Sequence, residues 1–252
     1  MPKNNKQALD LNGEGPLYKQ VEEALLQCLV DGEWRPGDCL PSEQQLARRF
    51  GVGLHTVRAG IAELAASNIL LRKQGKGTFV TRHSRLRLRY QNSHIYDADG
   101  RRYLPQRELI ALRQGFATPQ ERTLLALPRD DQVAVIRFSL QCFDAGVNDR
   151  STVSAVEGTV PARLFAGLTA QLLRNNEENL YALYQVQCGV NVIRIEERVH
   201  AALAGRDVAK LLGMRPGSPV LRVERISYTY RNTPVEWRNR FFNAARYHFR
   251  TA

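Results

Sequence analysis

The feature that most constrains this chain is the run from Pro16 to Thr81, where three short amphipathic segments, broken by glycine-bearing turns, lead into two short apolar runs. Tyr18, Val21, Leu25 and Leu29 recur at three- or four-residue steps, which predicts a first helix between Pro16 and Asp31. Gly32 ends it, and Arg35-Pro36-Gly37-Asp38 reads as a turn. Ser42 is a good N-cap with Gln45 three residues on, a capping box that starts a second helix over Glu43 to Phe50. After Gly51-Val52-Gly53 a third helix runs from about Leu54 to Ser67, with Val57, Ile61 and Leu64 inward. Two short helices joined by a three-residue turn make a helix-turn-helix. Ile69 to Lys73 and Gly77 to Thr81 then read as strands around Gln74-Gly75-Lys76, a hairpin whose glycines supply the positive φ of a tight turn.

This order of elements predicts a DNA reader. A helix fits the major groove and meets base edges with its N-terminal residues, here Leu54, His55, Thr56 and Arg58, all off the inward stripe. The hairpin is a wing whose tip offers Lys73, Gln74 and Lys76 to phosphates or the minor groove. Charge supports a polyanionic partner only weakly. The formal net charge is +11, but residues 1–83 hold 11 Lys/Arg against 9 Asp/Glu and residues 84–129 hold 9 against 4. The excess therefore lies outside the helix-turn-helix, and an unspecific basic DNA-coating protein is disfavoured.

Other classes fall away. No apolar run approaches the roughly 18 residues of a membrane helix, and the polar start, residues 1–15, lacks the apolar stretch of a secretory signal. A soluble, cytoplasmic protein with no membrane partner is expected. Cys28, Cys39, Cys142 and Cys188 form no C-x-x-C pair and the histidines are isolated, so neither a metal site nor any cofactor is expected. Gly75-Lys76-Gly77-Thr78 is not a phosphate loop, because Gly77 separates the Gly-Lys from the threonine.

Several segments between Pro16 and Val80 resemble the GntR-family DNA-binding domain: Pro16-Leu17-Tyr18, Gly32 to Asp38, Leu40-Pro41-Ser42-Glu43, Leu46-Ala47, Phe50-Gly51-Val52, Thr56-Val57-Arg58 and Gln74 to Val80. The resemblance implies operator contacts from the starts of the second and third helices and from the wing glycine, which fall on Thr56, Arg58 and Gly77. Gln44 and Leu54 stand where that family commonly has arginine. Arginine reads guanine in bidentate fashion and leucine offers only apolar contact, so a different operator preference is expected.

Past the wing, Arg82 to Tyr90 alternates arginine with apolar residues, and residues 82–92 are read as a linker before an effector domain over residues 93–252. Strands are predicted over Gln132 to Phe143, Ser151 to Val160 and Val190 to Ala202, with a hairpin of Pro219 to Tyr230 and Pro234 to Asn243. Helices are predicted over Ala117 to Leu127, Leu180 to Cys188 and Gly205 to Leu212. The fold class is α+β: a winged helix-turn-helix over residues 16–81, joined to an antiparallel sheet domain with helices.

Val133 to Arg137, Val160 to Leu168, Ala209 to Gly213, Gly217 to Leu221 and Thr233 to Glu236 resemble the UTRA effector domain of the HutC-type branch, over roughly Leu86 to Phe249. The resemblance implies a chorismate-lyase-like fold and a small metabolite ligand, often anionic. It also implies that Arg137 and Glu236 face one effector pocket, with Ser139 and Phe242 at positions where the branch often has arginine and tyrosine. Arg238 shares a strand face with Glu236 and is a further candidate; a structural Arg137–Glu236 ion pair is the bland alternative. The expected function is a repressor, not an enzyme, binding double-stranded operator DNA as a homodimer and released by a small-molecule effector. A lyase-like enzyme is the competing reading, and no catalytic residues, Ser/His/Asp constellation or cofactor glycine motif support it.

Overall fold

A computed structural model of the chain describes residues 15–81, 94–101, 105–130, 132–144, 151–175 and 180–250. The expected linker, residues 82–92, lies outside them. The chain divides into two compact units, Met1–Arg82 and His83–Ala252.

The first unit opens with α1 (Leu17–Val30), which buries Val21, Leu25 and Leu29 on its apolar stripe. In α2 (Glu43–Phe50) the Ser42–Gln45 capping box forms as the sequence implies, and Gly51 ends the helix in the left-handed region at φ 66°. α3 (Leu54–Ala66) buries Val57, Gly60, Ile61 and Leu64. Gly60 is the contact point with α1: a Cβ there would lie 3.0 Å from Val21 Cγ1 and 3.1 Å from the Tyr18 carbonyl. β1 (Leu70–Lys73) and β2 (Gly77–Val80) pair antiparallel with Leu70 opposite Val80. Gly75 and Gly77 take φ of 69° and 108°, which L-residues with side chains rarely adopt.

The second unit is built on six antiparallel strands in the order β4-β5-β6-β9-β8-β7: β4 (Pro105–Phe116), β5 (Ala134–Asp144), β6 (Thr152–Pro161), β7 (Arg194–Leu203), β8 (Pro219–Tyr228) and β9 (Pro234–Asn243). Directly paired residues share a face, so the register sorts the side chains. Ile136, Phe138, Leu140, Val156 and Val160 point to one face, where α5 (Ala170–Arg174) and α6 (Leu180–Cys188) cover them with Leu173, Leu180, Tyr181 and Tyr184. Farther along that face β3 (Ile95–Asp97) and β10 (Tyr247–Phe249) pair with each other and pack Ile95 and Tyr247 against Val223 and Phe242. The opposite face takes α4 (Pro119–Leu124), flanked by Ala117 and Leu125 against Val135 and Trp237, and α7 (Arg206–Leu211), which sets Val208 and Ala209 on Ala155 and Val220.

Two departures from expectation have local causes. β4 has no clean alternation because a bulge between Leu109 and Ala111 shifts its register and turns Ile110 outward. β7 begins at Arg194, and Val190 and Val192 are buried as irregular backbone beneath the sheet's helical cover.

An ion pair between the buried Glu121 and the partly exposed Arg137 ties α4 to the sheet. Arg137 donates from Nε to Glu121 Oε1 at 2.6 Å and from Nη2 to both Glu121 Oε2 and the Phe116 carbonyl. Thr159 Oγ1 and the Thr118 amide also donate to the Glu121 carboxylate, at 3.1 and 2.8 Å. Burial pushes the Glu121 carboxyl up, but the Arg137 guanidinium and Thr118 outweigh it and hold it below the ordinary 4.5.

Two stability measurements follow. Gly158 lies under the Phe138 ring, and an added Cβ would sit 2.1 Å from Phe138 Cζ, a ring only 2% exposed. Gly158→Ala should therefore destabilise the unit by about 1–3 kcal/mol in urea titration, and Phe138→Leu in the same chain should recover part of the loss. The folded Glu121 carboxyl titrates below its unfolded value, so its contribution is fully present above about pH 4.5 and is lost as pH falls through the depressed value. Glu121→Gln should cost about 2 kcal/mol near pH 7, less than a fully buried pair because Arg137 is partly exposed. The gap between mutant and wild-type melting temperatures should narrow as the pH falls below about 4.5.

Candidate DNA interface and effector site

In the first unit the start of α3 and the wing carry the exposed polar groups. His55 and Arg58 are exposed, Leu54 and Thr56 half-buried, and Gln44 exposed on the first turn of α2. His55 and Thr56 line a shallow open depression with Leu17, Tyr18, Ala59 and Glu63. Lys73, Gln74, Lys76 and Gly77 are all exposed at the wing tip, and Lys73 Nζ lies 4.7 Å from the Phe79 ring centroid. The residue that joins these elements is Glu43, to which the sequence reading gave no role of its own. Its Oε2 accepts from Arg58 Nε at 2.6 Å, and its Oε1 accepts from Arg72 Nη2 on β1. The Arg58 contact, then that of Arg72, holds the Glu43 carboxyl below its ordinary range despite some burial.

In the second unit the polar centre is Glu236, fully buried on β9. Tyr184 Oη donates to its Oε1 at 2.7 Å and Ser227 Oγ to its Oε2 at 2.8 Å, while Arg238 Nη2 stands 3.5 Å away. The network continues sideways. Tyr181 Oη accepts from Arg238 Nη2 at 2.7 Å and from Arg225 Nη1 at 3.0 Å. Arg225 Nε and Arg240 Nη2 both donate to Glu197 Oε1, at 2.8 and 3.0 Å. Burial pushes the Tyr184 hydroxyl well up, and the Glu236 carboxylate pushes it the same way. Burial would lower Arg238, yet Glu236 holds its guanidinium charged. Glu197 is raised by burial and lowered more by Arg225 and Arg240, so it too stays ionised. Arg238 Nε is buried with no partner among the described residues.

The five residues that the sequence assigned to an effector do not come together. Arg137 pairs with Thr159, and Thr159 pairs with Trp237, the neighbour of Glu236. Successive strand residues point to opposite faces, so Arg137 and Ser139 stand on the α4 side while Glu236, Arg238 and Phe242 stand on the α6 side. The expectation that Arg137 and Glu236 share a pocket is corrected by this one-residue offset. The alternative of an Arg137–Glu236 ion pair is corrected as well, since Arg137 pairs with Glu121 and Glu236 with Arg238. On the Glu236 face β5 supplies Phe138 and Leu140 instead. Phe242 lies farther along that face, fully buried against Tyr247 and Ile95. Glu197, Arg225, Tyr181 and Tyr184 escaped sequence reading. The only local signal was the Tyr181-x-x-Tyr184 spacing, which puts both phenols on one helix face.

Both units match known families. Residues 17–80 match the model for bacterial regulatory proteins of the gntR family, and residues 100–248 match the UTRA domain. The chain is 30% identical over 228 residues to HTH-type transcriptional regulator Rv0792c of Mycobacterium tuberculosis, covering 89% of this chain and 81% of that protein. It is 30% identical over 227 residues to the histidine utilization repressor of Pseudomonas putida, covering 87% of this chain and 85% of that one. Among solved structures, the ligand-binding domain of a GntR-family regulator from Bordetella bronchiseptica superposes with a TM-score of 0.59 at 27% identity, over 66% of this chain and 99% of that one. No helix among the described residues is long and apolar enough to cross a membrane. The chain is therefore a UTRA-domain member of the gntR family, a ligand-responsive DNA-binding transcription regulator and not an enzyme.

Proposed function

We propose that this regulator is a repressor that grips an inverted-repeat operator as a homodimer and lets go when a small anion occupies the α6 face of its sheet. The observation that carries the effector half is the buried cluster around Glu236. Among the described residues the guanidiniums of Arg225, Arg238 and Arg240 gather around the carboxylates of Glu197 and Glu236, and the buried Arg238 Nε has no partner there. An anionic group would supply that partner, and Tyr181, Tyr184 and Ser227 would orient the rest of the molecule. Arg238 and Glu236 are the assigned anchors. Arg137 is assigned a structural role, since Glu121 already occupies it.

For the DNA half, Gln44, Leu54, His55, Thr56 and Arg58 are assigned to base edges and nearby backbone. Lys73, Gln74, Lys76 and Gly77 are assigned to phosphates or the minor groove. One such helix reads only a few base pairs, so two copies are required for a specific site, with half-site spacing set by the dimer. The repressor names of relatives such as the Pseudomonas putida protein support the sign of control.

Duplexes selected from a random pool by the wild-type protein provide the assay. Their affinity should fall steeply with salt, and Arg58→Ala should weaken binding to all of them in gel-shift titration. A thermal-shift screen of phosphorylated and carboxylated metabolites should yield a compound that, at 100 times its dissociation constant, adds about 2.7 kcal/mol of stability. That compound should release the selected duplex from the wild type. Arg238→Gln, which loosens the buried Glu236 cluster and is therefore compared below its own melting transition, should still bind the duplex without it and fail to release. Equal release from both proteins would remove Arg238 from the effector site.

A further inference from the structure

Glu43 is out of place by simple electrostatics. A carboxylate on the surface assigned to DNA repels every phosphate, and the unit that carries it has little positive charge to spare, 11 Lys/Arg against 9 Asp/Glu over residues 1–83. Its two ion pairs are poor sources of stability. The Arg58 and Arg72 side chains are 56% and 46% exposed and that of Glu43 is 24% exposed, and pairs this accessible contribute little. A favourable first-turn position on α2 could be filled by an acid that touches neither arginine.

What Glu43 does is geometric. It takes the Nε–H of Arg58, and the two terminal amino groups of that guanidinium have no partner among the described residues. Those groups form the far edge of the fork, the edge that makes paired hydrogen bonds to guanine O6 and N7 or to a phosphate. The other oxygen of Glu43 holds Arg72 on β1, so one carboxylate connects α2, the exposed side of α3 and the root of the wing. An unrestrained arginine loses side-chain freedom when it binds, and a restrained one has lost part of it already.

We propose that Glu43 is a positioning residue of the DNA interface, one that aims Arg58 and couples it to the wing, giving up general DNA affinity for discrimination among sequences. This rests on the assignment of Arg58 to operator contact, and the test separates the two.

The measurement is equilibrium binding of the full-length chain to a duplex enriched from a random pool by the wild type and to a scrambled duplex of the same length and composition. The salt concentration is chosen so that Arg58→Ala still binds measurably. Glu43→Gln should bind the selected duplex about tenfold more weakly, the loss of one well-aimed contact. It should bind the scrambled duplex as well as the wild type or better, because a negative charge has been removed. In the Arg58→Ala background Glu43→Gln should cause no further loss on the selected duplex. Unchanged discrimination in Glu43→Gln overturns the proposal. So does a loss of the same size on both duplexes, or one that persists without Arg58, because either would make Glu43 a structural residue of α2. If Arg58→Ala itself binds the selected duplex normally, the contact assignment fails first and takes the proposal with it.

Discussion

A carboxylate with no access to water must be paired, and Glu236 is the place where that requirement organises the effector unit. Leaving such a charge unpaired costs roughly 3–5 kcal/mol, a large share of the stability of an ordinary domain. Its partners come from three elements: Tyr181 and Tyr184 from α6, Ser227 from β8 and Arg238 from β9 itself. The helix that covers the sheet is thereby fixed in rotation as well as position, since both phenols must reach one strand row. A sheet-on-helix contact made only of leucines would tolerate sliding; this one does not. The same directional groups that hold the fold are polar, convergent and shielded from water. A ligand bound there as proposed would alter the packing of α6 by taking over one of the hydrogen bonds.

The two faces of the sheet divide the work. On the α4 side Arg137 and the buried Glu121 form a two-point ion pair that fastens a short helix. On the α6 side the buried Arg238 Nε has no partner among the described residues. In the DNA-binding unit the logic is similar at smaller scale. The helices are short and individually marginal, so caps, glycine turns and the Gly60 contact place them, and surface ion pairs serve to aim side chains more than to stabilise.

Local rules made much of this legible. The Ser42 capping box, the Gly51 stop, the wing glycines and the hairpin ending at Asn243 are each specified within a few residues, and the structure has those elements where the sequence indicates. β4 was not legible because a bulge breaks the alternation that would have revealed it. The grouping of Arg137 with Glu236 failed for a different reason. Which face a residue takes relative to another strand depends on register, and a one-residue offset between β5 and β9 reverses the answer. No window of sequence contains that information. The Glu43 bridge and the Arg225–Glu197 pair join residues far apart in the chain, and they became visible only once the fold brought them within hydrogen-bond distance.

Hydrogen exchange on the full-length protein, with and without the metabolite that releases the selected duplex, tests the central claim directly. If the ligand sits at the Glu236 cluster, new protection should concentrate in residues 180–188 and in the facing parts of β8 and β9, with the Thr118–Leu125 region around the Arg137–Glu121 pair little changed. Protection confined to that α4 side, with residues 180–188 unaltered, would contradict the account and move the effector to the opposite face of the sheet.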